Sequence, residues 1–204
     1  MTNTLPAALR DRALAVADVE GNGQQPPDIV ELAMLTVDGP GDQSDFKSWL
    51  VRPTRRISPI VQRIHGISNE DVENCPPWSA IEKEVSTLLA GRTLIAHSAS
   101  VEYKVIGSHL PQWAPPMVLD TLKLAKHVWP DLESYKLTDL VAHAEIDTTE
   151  FPEQRPHRAG YDTWCAWLLL RALLGDQEMT WDQLVKVAHL KGFEPSAEPD
   201  GGLW

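Results

Sequence analysis

The residues of this 204-residue chain that point most directly to chemistry are two acidic residues at the end of an apolar run. Residues 13–20 are apolar up to Asp18 and Glu20, and a Gly-Asn-Gly turn follows them. The run favours a buried strand, in which residues two apart share a face, so the two carboxylates should project together. Clustered carboxylate oxygens in an apolar setting suit a hard divalent ion such as Mg²⁺ or Mn²⁺. A solvated strand end that leads into a turn is the alternative interpretation.

A second pair, His157 and Asp162, lies where the last strongly apolar helical stretch begins. Asp162 starts an apolar stripe, and His157 lies in or beside the polar, Pro-flanked loop that precedes it. An acidic residue on the inner side of a helix needs a cation, and a histidine five residues earlier could swing over that cation from the loop. Ordinary capping, with an acid in the first turn of the helix, is the alternative interpretation.

Five apolar segments predict strands, and segments with helical spacing lie between and after the later ones. The strands are expected at 13–20, 29–37, 46–51, 93–97 and 117–120. The helices are expected at 58–65, 78–90, after 97 through roughly 109, 121–129, 136–143 and 158–174. The short turn at 38–45 favours a hairpin between the second and third strands. Three strands followed by strands that alternate with helices indicate an α/β domain with a mixed sheet.

The composition excludes several classes of protein. The chain has 18 basic and 29 acidic residues, a net charge of −11, which rules out a broad cationic surface that tracks long duplexes. No apolar run approaches the roughly 18 residues that span a bilayer, and residues 1–16 show no secretory signal, so no membrane partner is expected. Cys75 and Cys165 lie far apart without a partner motif. A disulfide framework or zinc site is therefore not expected, and a reducing, cytoplasmic compartment is.

Together with a third segment, these two pairs of residues resemble the motifs of the DnaQ-like DEDDh family of 3′→5′ exonucleases in the ribonuclease H-like superfamily. Residues 18–20 are similar to the first motif of that family, residues 94–102 to the second and residues 157–162 to the third. Shorter matches occur at 64–67, 119–121 and 133–137. The resemblance covers roughly residues 12–175. It implies a mixed five-stranded sheet flanked by helices, with the first three strands antiparallel. An exonuclease domain is expected over 10–176, and a short helix with a flexible tail over 177–204.

The second segment departs from the family pattern at three positions. The family usually has Asn after the His of this motif and Phe-Asp at its end, where this chain has Ser98, Val101 and Glu102. Glu102 keeps the charge on a side chain one methylene longer, so it could bind an ion directly or weaken the site. A first-turn acid at a helix N-terminus is the alternative interpretation of Glu102. Val101, in place of an aromatic residue, removes one surface for the terminal nucleotide.

The resemblance also implies a mechanism. Two divalent ions, Mg²⁺ or Mn²⁺ and about 4 Å apart, would be held by Asp18, Glu20, Glu102 and Asp162. His157 would act as the general base that takes a proton from the attacking water. The substrates would be 3′ ends of single-stranded or short DNA or RNA, and the products nucleoside 5′-monophosphates.

Five residues are expected to bind the terminal nucleotide by the same resemblance: Gly21, Asn22, Ile64, His65 and Val101. A tight turn at the Gly-Asn-Gly segment and a helix C-terminal cap at His65 are the alternatives. The densest basic group comprises Arg52, Arg55, Arg56 and Arg63. It is interpreted as a guide for substrate phosphates, with an ordinary solvated surface as the alternative.

Two other functions fit the same residues. A catalytically weakened protein that binds nucleic-acid ends is suggested by Glu102 and Val101. An accessory or proofreading subunit of a larger assembly would have the same chemistry, with a polymerase or another protein as its partner.

Overall fold

The central sheet has five strands in the order β3-β2-β1-β4-β5. The computed structural model describes residues 5–38, 43–151, 155–175 and 179–194. Its strands are β1 (Leu14–Gly21), β2 (Ile29–Asp38), β3 (Gln43–Leu50), β4 (Thr93–Ala96) and β5 (Val118–Asp120). β2 is antiparallel to both β1 and β3, whereas β4 is parallel to β1 and to β5. The predicted α/β class, with a mixed sheet whose first three strands are antiparallel, is confirmed.

Helices flank this sheet on both faces. Within the described residues they are α1 (Pro59–His65), α2 (Trp78–Leu89), α3 (Ser100–His109), α4 (Thr121–Val128), α5 (Leu137–His143), α6 (Ala159–Gly175) and α7 (Trp181–Ala188). The first of them begins with a proline and ends at Gly66, whose φ of 74° suits a residue without a side chain. Among the described residues, no helix combines the length and the apolar character needed to cross a membrane.

Alternation along β1 divides its side chains between two cores, one on each face of the sheet. Leu14 and Val16 belong to the core under α6, whereas Ala15 belongs to the core that α2 covers. Because residues two apart share a face, Asp18 and Glu20 continue the row of Leu14 and Val16. The pleat of β1 therefore directs both carboxylates to the side of the sheet where α6 begins.

The start of α6 is fixed by the burial of the rest of the helix. Trp167 and Leu169 lie in the core beneath it, at 2% and 0% exposure. The first turn is tied to β2, because the Thr163 hydroxyl donates to the carbonyl oxygen of Ala33 at 3.4 Å. Asp162 precedes Thr163 and is half-buried. The packing of α6 against the core thus determines the position of Asp162.

The turn between β4 and α3 is held by a carboxylate at the end of the neighbouring strand. Asp120 accepts hydrogen bonds from the backbone N–H groups of Ser98 at 3.0 Å and Leu122 at 2.9 Å. Ser98 has a φ of 67°, which is unusual for a residue with a side chain. Asp120 therefore stabilises the backbone that leads into α3, whose first turn carries Glu102.

The first residues of β3 were expected to be a turn. The strand begins at Gln43 rather than at residue 46, because the polar residues 43–45 pair with 36–38 of β2 through the backbone. Backbone hydrogen bonds do not require apolar side chains, so apolar alternation underestimates the length of such a strand. Residues 39–42 of the predicted turn lie outside the described residues.

The segment after α6 packs on the rest of the molecule. Leu184 of α7 is fully buried in the core under α6, and the N–H of Leu190 donates to the carbonyl oxygen of Val118 on β5 at 2.8 Å. The predicted tail from residue 195 onward lies outside the described residues. The domain limits of 10–176 and 177–204 stay a prediction.

Candidate active site: a cluster of carboxylates

Glu20, His157 and Asp162 converge at the end of β1. One potential ligand atom from each of them lies within 4.8 Å of the others. The backbone N–H of His157 donates to Oδ2 of Asp162 at 3.1 Å, so the loop residue and the helix residue are joined directly. His157 is exposed and has a φ of 61°. Residues 137 positions apart are thus brought together, as the two sequence motifs predict.

Glu102 approaches the cluster from the first turn of α3. It is only 5% exposed, and its Oε2 atom has no hydrogen-bond partner among the described residues. Its charge acts on Asp18, whose pKa is raised first by burial and next by Glu102. The longer side chain of Glu102 therefore still acts electrostatically on Asp18. An unpartnered carboxylate oxygen in a buried position is costly unless a cation accompanies it.

Burial and mutual repulsion raise the pKa values of these carboxyl groups. Burial, together with the charges of Asp162 and Glu31, raises the pKa of Glu20 to about 8. Burial raises that of Asp162 to about 6, against the hydrogen bond from His157. Burial raises that of Glu102 to about 8, with a further contribution from Asp120. Acids that repel one another in this way are stabilised by a shared cation.

The donor set fits hard divalent ions. Asp18, Glu20, Glu102 and Asp162 offer carboxylate oxygens only, the ligand type that Mg²⁺ and Mn²⁺ prefer. The buried Oε2 atom of Glu102, which has no hydrogen-bond partner among the described residues, is available as a ligand for such an ion. These four side chains are the ones that would hold such ions.

The sequence did not reveal Glu31, a buried acidic residue beside the cluster. It lies directly opposite Glu20 in the β1–β2 register and is 2% exposed. Arg158 donates to it twice, from Nε to Oε2 at 3.0 Å and from Nη2 to Oε1 at 2.8 Å. One signal was available in the sequence: a charged residue within an otherwise apolar strand needs a partner.

The structure places the predicted nucleotide-binding residues in two different situations. Ile64 and Val101 are 48% and 50% exposed, so their apolar side chains are accessible to a ligand. His65 is 1% exposed, and its Nδ1 accepts the N–H of Ile67 at 3.0 Å, just beyond α1. His65 thus holds the turn that follows α1, and its imidazole offers almost no surface to a nucleotide.

Asn22 is used within its own loop. Its side chain is fully buried, and Oδ1 accepts the N–H groups of Gln24 at 3.1 Å and Asp28 at 3.0 Å. Gly21 packs closely on this loop, since a Cβ there would lie 3.3 Å from Cβ of Pro27. The backbone of Asn22 is engaged as well, since its N–H donates to the carbonyl oxygen of Asp28 and its own carbonyl oxygen accepts the N–H of Ser58, both at 3.0 Å. Nucleotide binding by Gly21 and Asn22 stays a prediction.

Two of the arginines in the predicted phosphate guide make contacts within the protein, and Arg55 makes the most extensive ones. Its guanidinium pairs with Asp28 at 2.9 Å and also donates to the carbonyl oxygen of Pro26. Arg52 donates to the carbonyl oxygen of Glu73 at 3.3 Å. Arg56 and Arg63 are exposed. Two of the four arginines are therefore engaged in shaping loops, and the interpretation of the group as a phosphate guide stays a prediction.

The chain is similar to known exonucleases in sequence and in structure. The exonuclease family model RNase_T matches residues 15–169. The 3′-5′ exonuclease DinG of Bacillus subtilis is 30% identical over 176 residues, which cover 81% of this chain and 18% of that protein. Exodeoxyribonuclease 10 of Escherichia coli is 30% identical over 174 residues, 85% of this chain and 74% of that protein. A structure of exonuclease X in complex with 5′ overhanging duplex DNA matches with a TM-score of 0.71 and 28% identity, over 85% of this chain and 98% of that chain.

The sheet and its acidic cluster define a ribonuclease H-like exonuclease fold. The chain belongs to the RNase_T exonuclease family, and the DEDDh, DnaQ-like resemblance predicted from the motifs is confirmed. Exonucleases of the DEDDh family generally use divalent metal ions. The chain spans less than a fifth of the DinG protein.

The metal-free protein should lose stability as the pH rises from about 4 to about 8. The pKa values of Glu20 and Asp162 are about 8 and about 6 in the fold, above their usual 4.5 and 3.8. At these carboxyl groups, and at Asp18 and Glu102, the folded chain holds more protons than the unfolded chain, so raising the pH favours unfolding. Burial lowers the pKa values of His65 and His97, which act in the opposite direction but are fewer than the four carboxyl groups. Each kcal/mol lost lowers the Tm of a chain of this size by roughly 2–4 °C.

Thermal unfolding in EDTA at about pH 5.5 and about pH 8 measures this loss. Mn²⁺ added at the higher pH should restore most of the Tm, because it binds the ionised carboxylates of the folded state. A Tm in EDTA that stays constant or rises over this range contradicts the proposed electrostatics of the cluster.

Proposed function

We propose that the chain is a metal-dependent exonuclease that removes nucleotides from the 3′ ends of nucleic acids and releases nucleoside 5′-monophosphates. The observation that carries this proposal is the convergence of Glu20, His157 and Asp162 within 4.8 Å, beside buried Glu102 and half-buried Asp18. Membership of the exonuclease family supports the direction of the reaction.

Asp18, Glu20, Glu102 and Asp162 would hold two ions, Mg²⁺ or Mn²⁺. When bound, these ions supply an activated water molecule and stabilise the negative charge on the scissile phosphate. His157 is exposed above the carboxylates, so its imidazole can accept the proton of the attacking water without moving a buried group. Its backbone N–H keeps Oδ2 of Asp162 in place.

Ile64 and Val101 would receive the base and sugar of the terminal nucleotide. Both expose about half of their surface, and water leaves this apolar surface when a nucleotide packs on it. Binding through apolar contact and through metal ions explains how a chain with a net charge of −11 can bind a polyanion over a short footprint.

We propose DNA as the preferred substrate. One relative is named an exodeoxyribonuclease, and the exonuclease X structure contains a DNA duplex with a 5′ overhang. A polymerase or another protein as a stable partner is supported by relatives that are named DNA polymerase III PolC-type and DNA polymerase III subunit epsilon. Co-purification from the native host tests that partner separately from the chemistry.

The function is tested with a DNA oligonucleotide labelled at its 5′ end, and with the RNA of the same sequence. With Mn²⁺ or Mg²⁺ we expect a ladder of products shortened stepwise from the 3′ end, and nucleoside 5′-monophosphates in the supernatant. EDTA should abolish both, and DNA should be shortened faster than RNA. Internal cleavage, or shortening from the 5′ end, contradicts the proposal. Tight binding of the 3′ end without shortening would favour the weakened, end-binding alternative.

A further inference from the structure

Glu31 holds two consecutive residues at the start of α6. Its carboxylate accepts both hydrogen bonds of the Arg158 guanidinium and also the backbone N–H of Ala159 at 2.9 Å. The side chain of Glu31 is 2% exposed and that of Arg158 is 17% exposed. A two-pronged contact of this kind restricts both distance and orientation, which a single hydrogen bond does not.

The Glu31 contact lies next to His157, the residue of the site whose conformation is the least favourable. His157 immediately precedes Arg158, is exposed, and has a φ of 61°. Such a conformation costs free energy for a residue with a side chain and persists only when the surroundings hold it. The hydrogen bond from its backbone to Asp162 is one restraint, and the Glu31 contact on the next two residues is another.

We propose that Glu31 is a positioning residue: through Arg158 and Ala159 it holds His157 over the carboxylate cluster. This inference rests on the proposed function, in which His157 accepts the proton of the attacking water. Glu31 itself is placed on β2 opposite Glu20, so the strand that bears one carboxylate and the loop that bears the base are fixed to each other.

If Glu31 acted only through its charge, its removal and the removal of Arg158 would affect the site differently from each other. The charge of Glu31 adds to burial in raising the pKa of Glu20, whereas the charge of Arg158 lowers it. Removing Glu31 and removing Arg158 would then change Mn²⁺ affinity, and with it the activity, in opposite directions. A positioning role predicts that both removals lower kcat, and that the second removal adds little to the first.

The test compares Glu31→Gln, Arg158→Gln and the double variant with the wild-type chain. Glutamine keeps the shape of Glu31 and an acceptor for Ala159. We expect kcat on the DNA oligonucleotide to fall about 10- to 100-fold in each single variant, because small displacements of a reacting group have effects of this size. KM should change less than about threefold, and the double variant should resemble the single ones.

A second comparison shows whether Glu31 acts through His157. In a His157→Ala background, Glu31→Gln should cost less than about threefold, because the group that it positions is already absent. Arg158→Lys keeps the charge and loses the two-pronged contact, so it should lose part of kcat even if the other variants unfold. Asp38→Asn is the matched control: it breaks the ion pair with Arg92 at the other end of β2 and should leave kcat unchanged.

A readout independent of activity is the NMR signal of the His157 ring, assigned by its loss in His157→Ala. We expect this signal to shift or broaden in Glu31→Gln and Arg158→Gln and to stay unchanged in Asp38→Asn. Unchanged kcat and ring signal in a folded Glu31→Gln variant overturn the inference, as do equal losses with and without His157. A wild-type chain that does not shorten DNA would overturn the proposed function instead, and the ring signal would still decide the role of Glu31.

Discussion

Asparagine in place of Asp18 should lower kcat by about 10³-fold or more, and should make the metal-free protein more stable. Asp18 lies on the α6 side of β1 among the other acids, and asparagine has nearly the same shape without the charge. Loss of a metal ligand removes several kcal/mol of transition-state stabilisation, and about 1.4 kcal/mol corresponds to a tenfold change in rate. The affinity for Mn²⁺, measured from a binding isotherm, should fall as well.

The gain in stability follows from the same burial. The pKa of Asp18 is raised by burial and then by the charges of Glu102 and Asp162, so the ionised side chain destabilises the metal-free fold. Asparagine cannot ionise, and the Tm in EDTA at about pH 8 should therefore rise above that of the wild-type chain. Asp38→Asn, on the exposed end of β2, should change neither Mn²⁺ binding nor kcat. An Asp18→Asn variant with normal kcat and normal Mn²⁺ binding would remove Asp18 from the site.

Opposite effects on activity and on stability would identify the cluster as functional. A structural carboxylate network is more stable with its charges than without them, as Asp28 shows: hydrogen bonds from Arg55 and Thr54 lower its pKa to about 2 although burial opposes this. At Asp18 and Glu20 the shifts have the other sign. The protein retains repulsive acids there, and a bound cation explains why.

Strand and helix periodicity in the local sequence was sufficient to predict where several site residues lie. The pleat of β1 predicts that Asp18 and Glu20 share a face, and the apolar stripe of α6 predicts that Asp162 lies at its start. The motif spacing supplied the family and hence the convergence of these segments. Elements with apolar alternation were located to within a residue or two, whereas the polar start of β3 was missed.

What the sequence could not provide were the partners of individual polar side chains. Glu31 and Arg158 are 127 residues apart, and no local pattern joins them. Arg55 and His65 belong to residue types that bind substrates in many proteins, yet the fold uses Arg55 within a loop and His65 at a helix end. Residue type indicates which chemistry is available, and only the three-dimensional contacts show whether it is already engaged.

Alanine in place of His157 should lower kcat about 10²- to 10⁴-fold, the usual contribution of a general base, while Mn²⁺ still binds. The four carboxylates remain in this variant, and the backbone N–H that supports Asp162 is retained because alanine has it too. Since His157 is exposed, a small base from solution can reach its place. Added imidazole should therefore restore part of kcat, which it cannot do if the variant is merely misfolded.

The proximity of His157 to Glu20 and Asp162 allows one other role, that of a metal ligand, and the same variant distinguishes the two. A general base predicts a lower kcat with Mn²⁺ affinity within about threefold of the wild-type value, because the proton acceptor alone is lost. A ligand predicts weaker Mn²⁺ binding, and a kcat that recovers at high Mn²⁺ concentration without imidazole. His127→Ala, an exposed histidine on α4, is the control and should affect neither quantity. Recovery by Mn²⁺ alone would assign the proton transfer to another group, and Glu31 would then support a ligand instead of a base.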